Sequence, residues 1–150
     1  MFHSNEVGYL IGKATRLIRK NINKLLLDKG ITFPQVMVIN YLYMNQKYKK
    51  DISFNTPGMI AKHLEYDRPT VTGILTRLEK QGWIIREDNA EDRRSQIIKP
   101  TEKSNELMQR FRLILDDLNH DILQGFQESE IRSLKKNLFK IIQNLEDLEL

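Results

Sequence analysis

The chain has 150 residues, is 40% hydrophobic and 29% charged, contains no cysteine and carries a formal net charge of +4. That length suits one domain with a substantial core, and the missing cysteines exclude disulfides, thiolate nucleophiles, cysteine redox sensors and cysteine-ligated zinc. No apolar run nears the roughly 18 residues needed to span a bilayer, and the start lacks the pattern of a secretion signal, so cytoplasmic residence without a membrane partner is expected. Charge is unevenly spread. Residues 1–50 hold nine Lys/Arg against two Asp/Glu, residues 51–100 eight against eight, and residues 101–150 seven against ten. A basic N-terminal third fits an anionic partner or a solvated helix face.

Taken in order, residues 6–29 read as a long helix. Val7, Leu10, Ile11, Ala14, Leu17, Ile18, Ile22, Leu25 and Leu26 follow a three-four spacing, and Gly30 suits a left-handed C-cap. Thr32-Phe33-Pro34-Gln35 opens a second helix as a capping box with proline in the first turn. Its mostly apolar run predicts deep burial, and it ends near Asn45. Ile52-Ser53-Phe54 is expected as a short strand. Thr56-Pro57 opens a third helix and Asp67 caps a fourth. Two short helices joined by three or four residues are a helix-turn-helix pattern. The fourth ends at Gln81-Gly82. Two β-leaning runs, Trp83–Arg86 and Gln96–Ile98, make a hairpin reaching to about Lys99. Thr101 caps a fifth helix, Gly125 interrupts, and a sixth carries Ile131, Leu134, Leu138, Ile141, Leu145 and Leu148 at heptad-like spacing. The expected class is mainly α with a small β-hairpin wing. The amphipathic end helices have more apolar surface than a winged helix can cover, and a homodimer buries it most simply.

The stretch Asp67–Lys99 concentrates the chemistry. Val71, Ile74, Leu75 and Leu78 fall on one side of the fourth helix. Thr70, Thr72, Gly73, Thr76 and Arg77 fall on the other. Such a helix suits the major groove of double-stranded DNA, with the basic hairpin in a groove beside it. Arg77 can grip guanine or a phosphate, or pair with Glu79 or Glu87. Thr70 and Thr72 either contact DNA or serve as caps. Gly73 costs about 1 kcal/mol of helix stability against alanine, which makes sense where DNA comes close. Arg68 and Pro69 begin the helix, where phosphate binds readily. Arg94, at the wing tip, can enter a narrow minor groove, and Asp92 can hold its guanidinium in a bidentate pair. Arg86 and Arg93 are expected to contact the DNA backbone.

These segments resemble the MarR family of bacterial transcriptional regulators. The second-helix opening Thr32–Ile39, the pair Ile60–Leu64 and Asp67–Thr72, Leu75–Ile84, the wing signature Asp88–Ser95 and Thr101–Ser104 carry the likeness. The resemblance implies one MarR-like domain over 1–150, with a winged helix-turn-helix over 32–100 and dimerisation helices over 1–31 and 101–150. It implies a homodimer of triangular outline that binds a pseudo-palindromic operator, often as a repressor released by a small phenolic or lipophilic ligand. In relatives the Asp-x-Arg arrangement, here Asp92 and Arg94, orients the wing arginine. The family's effector crevice suggests Tyr9, Arg16, Met37, Tyr41 and Phe111, each also readable as ordinary packing. Gly73 departs from the family, which often has a larger polar residue there.

Other classes find less support. Asp116, Asp117, His120 and Asp121 can share one helix face, but a single-helix cluster lacks the further ligands a catalytic metal needs. His3 and His63 show no matching partner. No enzyme, cofactor or metal site is expected. The alternative from another class is a dimeric winged-helix protein-interaction module without operator binding.

Overall fold

The computed structural model describes residues 6–148; His3 lies outside them. Among these residues the chain forms six α-helices and one antiparallel hairpin. They are α1 (Val7–Leu26), α2 (Phe33–Lys47), α3 (Pro57–Leu64), α4 (Arg68–Lys80), β1 (Ile84–Asp88), β2 (Gln96–Pro100), α5 (Glu102–Ile122) and α6 (Glu128–Leu148). The described residues divide into two compact units, one reaching Phe111 and one beginning at Arg112, so the boundary falls inside α5.

In the first unit α2 is the central helix, contacting α1, α3, α4 and β2. Its apolar run explains this, because Val36, Val38, Ile39 and Leu42 are all completely buried and a helix apolar on several sides needs neighbours on several sides. Gln35 caps its start by accepting from the Thr32 backbone N–H at 2.9 Å. The helix runs two residues beyond the expected Asn45, to Lys47. Ile60, Val71, Leu75, Leu78, Ile84 and Ile98 complete the core from α3, α4 and the hairpin. By contrast α1 buries only Ile22 and Leu26, near its C-terminal end.

Residues Ile52–Asn55 form a 3-10 turn rather than the expected strand. The reason is Asp51. Its carboxylate accepts from the Ser53 N–H at 2.8 Å, and its carbonyl accepts from Phe54 N–H. This local bonding competes with a sheet ladder, and hydrogen bonds from Ser53 hold the Asp51 carboxyl below its ordinary value. The turn is tied inward by a buried pair, Asn45 Nδ2 donating to Asn55 Oδ1 at 2.8 Å, and by the Tyr41 hydroxyl donating to the Phe54 carbonyl at 2.7 Å.

The start of α5 belongs to this core, with Ser104, Leu107, Met108 and Phe111 buried. Thr101 was expected to cap α5, yet its hydroxyl serves the end of α4 instead. It donates to the Gly82 carbonyl at 2.8 Å. Lys103 Nζ donates to the Gln81 carbonyl at 2.7 Å and lies 4.0 Å above the Trp83 ring. Ser104 donates to the Trp83 carbonyl. The three consecutive carbonyls that follow α4, those of Gln81, Gly82 and Trp83, are thus bonded by Thr101 and the first turn of α5. Gly82 makes the exit from α4 at φ 75°, in the left-handed region.

In the second unit, α6 has no buried residue among those described. Leu134, Leu138, Ile142 and Leu145 are exposed along it, as are Val7, Leu10, Leu17 and Leu25 along α1.

Asn45→Ala is expected to destabilise the protein by about 1–3 kcal/mol, because it leaves the buried side-chain Oδ1 of Asn55 without a donor. Urea denaturation at neutral pH measures this; a loss within a few tenths of a kcal/mol would show that the pair contributes nothing to stability.

Candidate nucleic-acid interface

The apolar side of α4 decides what its other side presents. Val71, Ile74, Leu75 and Leu78 are buried. The three-four spacing therefore turns Arg68, Pro69, Thr70, Thr72, Thr76 and Arg77 to the exposed side. Asp67 starts the helix: its carboxylate accepts from the Thr70 N–H and from the Thr70 hydroxyl, both at 2.7 Å. The backbone and hydroxyl bonds from Thr70 lower the Asp67 carboxyl below its ordinary value.

The threonine hydroxyls all point their protons at the protein. Thr70 donates to Asp67, Thr72 to the Arg68 carbonyl at 2.9 Å, and Thr76 to the Thr72 carbonyl at 2.9 Å. Toward solvent they offer methyl groups and acceptor lone pairs. The charged side-chain donors left on this side are Arg68, Arg77 and Lys80. Glu79 and Glu87, the expected partners of Arg77, are engaged elsewhere, Glu79 with Arg86 and Glu87 with Lys99. Among the described residues Arg77 has no acidic partner at ion-pair distance.

A β-carbon added at Gly73 would meet nothing within 4 Å. Packing within this chain therefore does not require glycine there.

In the wing, β1 and β2 pair antiparallel with Arg86 opposite Ile98 and Asp88 opposite Gln96. The tip, residues 89–95, is shaped by short-range bonds. Asp92 Oδ1 accepts from the Arg94 backbone N–H at 2.9 Å, and the Asp92 carbonyl accepts from Ser95 N–H at 2.9 Å. This corrects the expectation of a bidentate Asp92–Arg94 side-chain pair. Asp92 sets the loop backbone through an Asx turn and leaves the exposed guanidinium of Arg94 without an acidic partner among the described residues. Arg93 is likewise exposed and unpaired among them.

Arg68, Arg93 and Arg94 border a single groove of about 680 Å³, together with Thr56–Gly58 at the start of α3, Thr72, and Asp88, Asp92, Ser95 and Gln96 of the wing. The α3 start is not among the DNA-facing residues the sequence points to, where Thr56 reads only as a cap; it is also that, accepting from Met59 N–H at 3.3 Å.

A family model for the MarR family matches residues 29–95. Solved structures extend the likeness over nearly the whole chain. Staphylococcus aureus MepR in complex with DNA is 27% identical, with a TM-score of 0.81 over 96% of this chain and 99% of that one. Residues 29–95 thus match the MarR family, and the fold along nearly the whole chain is that of a MarR-type winged helix. A second structure of MepR, a transcription regulator of the S. aureus multidrug efflux pump MepA, is 28% identical with a TM-score of 0.73 over 93% of this chain and 98% of that one. A cysteine-to-serine mutant of MarR from E. coli shares the fold at 24% identity, with a TM-score of 0.75 over 94% and 99% of the two chains. The two-stranded wing, the helix-turn-helix and the flanking helices are those of a MarR-type winged helix.

The five residues suggested for an effector crevice are placed differently from one another. Tyr41 and Phe111 are buried in the core, and the Tyr41 phenol is committed to Phe54 with its ring 4.7 Å from that of His63. Tyr9 and Arg16 are exposed on α1, and Met37 is half-buried on α2. None of them lines the grooves found on the first unit. Asp116, Asp117, His120 and Asp121 are all exposed along α5, and no group of three or more His, Asp or Glu among the described residues is arranged to hold a metal. No helix among them is long and apolar enough to cross a membrane.

Two measurements follow from this geometry. Gly73→Ala should raise thermal stability, by about 0.5–1 kcal/mol, since the helix gains propensity and the added methyl meets no neighbour; a lower melting temperature would overturn that account. For Asp67 the lowered carboxyl value means stabilisation that is present at neutral pH and lost as pH falls below the ordinary carboxyl range. Asp67→Ala should therefore lower the melting temperature at pH 7 and narrow its gap from wild type as pH falls toward 2. A gap that stays constant with pH would remove Asp67 as the source.

Proposed function

We propose that the protein is a sequence-specific DNA-binding transcription regulator acting as a homodimer on a pseudo-palindromic operator. The observation that carries this reading is the convergence of Arg68, Arg93 and Arg94 on one groove beside the exposed side of α4. Three cations against the carboxylates of Asp88 and Asp92 leave an excess of positive charge between a helix start and a hairpin tip, which suits a phosphate backbone crossing there. MepR, of the same fold along nearly its full length, was solved bound to DNA.

In this reading α4 lies in the major groove. Arg77 is the base-reading donor, and the methyls and lone pairs of Thr70, Thr72 and Thr76 meet thymine methyls and amino groups of adenine or cytosine. Gly73 and Pro69 keep the surface low where DNA approaches. Arg68 and Arg93 hold phosphate, and Arg94 enters the adjacent minor groove, its backbone fixed by Asp92. A second copy covers the exposed apolar stripes of α1 and α6, and two-fold symmetry then gives a two-fold operator. Repression relieved by a small phenolic or lipophilic effector, and residence in the cytoplasm, complete the proposal; Tyr9, Arg16, Met37, Tyr41 and Phe111 are the effector candidates.

Selection of genomic fragments on the purified protein should enrich a sequence with two-fold symmetry. In binding assays on that sequence Arg94→Ala should weaken affinity by about tenfold and leave the melting temperature unchanged. Wild-type affinity in the variant would remove Arg94 from the interface, and an enriched sequence lacking two-fold symmetry would count against the dimer.

A further inference from the structure

Arg86 does not behave like its neighbours in the wing. Ile84, Arg86 and Asp88 share one side of β1 by alternation. Ile84 is fully buried, Arg86 keeps a side-chain exposure of 19%, and Glu87 and Asp88 beyond it are exposed. Its stem therefore continues the core while its head emerges at the edge of α4. There the guanidinium is taken up three times. Nε donates to Glu79 Oε2 at 2.9 Å, Nη1 to Gln96 Oε1 at 3.4 Å and Nη2 to Thr76 Oγ1 at 3.4 Å. Thr76 and Glu79 stand one turn apart on α4, and Gln96 opens β2. One planar group thus joins the recognition helix to both strands of the hairpin, with an opposite charge on its Nε side. A guanidinium so engaged has little left to offer a phosphate.

We propose that Arg86 is a positioning residue that fixes the angle of the wing against α4, and that DNA affinity depends on it through the placement of Arg94. Tip-ward of Arg86, β1 itself buries nothing, and the hairpin's last buried side chain is Ile97 on β2, opposite Glu87, so the brace holds the β1 side close to where core support ends. A small change of angle there moves the tip, and with it Arg94, out of register with the groove that α4 does not occupy. Glu79 and Gln96 acquire a role by the same geometry: they orient the brace. Lysine cannot replace it, because a point charge cannot hold three partners in one plane.

The proposal rests on the DNA-binding reading above, and the test separates the two. The probe is the duplex selected from genomic DNA by the wild-type protein, and affinity is measured against salt for wild type, Arg86→Ala, Arg94→Ala and the double variant, at temperatures where all are folded. Arg86→Ala should bind about tenfold more weakly with the wild-type salt slope. The double variant should bind little worse than Arg94→Ala, because a brace is of no use once the group it places is gone. A salt slope reduced by about 0.9 in Arg86→Ala would make it a phosphate ligand, and additive losses in the double variant would make it independent of Arg94; either overturns the brace while leaving the DNA-binding reading intact. Arg86→Lys, which keeps the charge, carries the same test if Arg86→Ala does not fold: weakened binding supports the brace and wild-type binding overturns it. Wild-type protein that selects no duplex overturns both readings together.

Discussion

The burial of one side of α4 is the constraint on which the rest depends. Val71, Ile74, Leu75 and Leu78 have to leave water, and α2 with the base of the hairpin provides the place. Each such side chain contributes on the order of 1.5–3 kcal/mol when fully buried, far more than any surface ion pair on the outer side. The orientation of Thr70, Thr72, Gly73 and Arg77 is therefore a by-product of packing. A helix that could roll on its axis would present a different set of donors. This one cannot roll without exposing its leucines.

Two polar devices then convert a fixed helix into a fixed unit. At its C-terminal end, Thr101, Lys103 and Ser104 satisfy the carbonyls of Gly82, Gln81 and Trp83. Thr101 immediately precedes α5, and Lys103 and Ser104 lie in its first turn. In its last two turns, Thr76 and Glu79 receive Arg86 from the wing. Both devices use groups that a list of basic and polar residues would assign to DNA or to solvent. On α4 and the wing, Arg68, Arg77, Lys80, Arg93 and Arg94 have no acidic partner among the described residues, whereas Arg86 and Lys99 are paired. Free charge, rather than charge alone, is what an anionic partner can use, since a cation already paired gains less from a phosphate.

The sheet shows how local bonding shaped the wing. A third strand was expected at Ile52–Phe54, where β-leaning residues stand beside a helix start. The Asp51 carboxylate and its neighbours made a 3-10 turn instead, and two buried or half-buried side-chain bonds, from Asn45 and Tyr41, hold it against α2. The hairpin consequently stands on two strands, which are marginal by themselves. Its support comes from the core beneath Ile84, Ile97 and Ile98 and from the brace at Arg86.

Periodicity and punctuation in the sequence determined the order and kind of the helices, the hairpin, the inward side of α4 and the family likeness, because these rest on interactions between residues a few positions apart. Capping by Thr32, Thr56 and Asp67 and the turn at Gly82 were legible for the same reason. Which arginine is free and which is bound was not legible. Arg77 and Arg86 look alike in sequence, and Glu79 lies nearer to Arg77. Only the folded hairpin carries Arg86 across to α4 and Gln96 beside it, a juxtaposition set by strand register and core burial. The partner of the Thr101 hydroxyl was decided likewise, by the end of α4 arriving beside it. Pairings between distant segments depend on where packing brings them, and packing is a property of the whole unit.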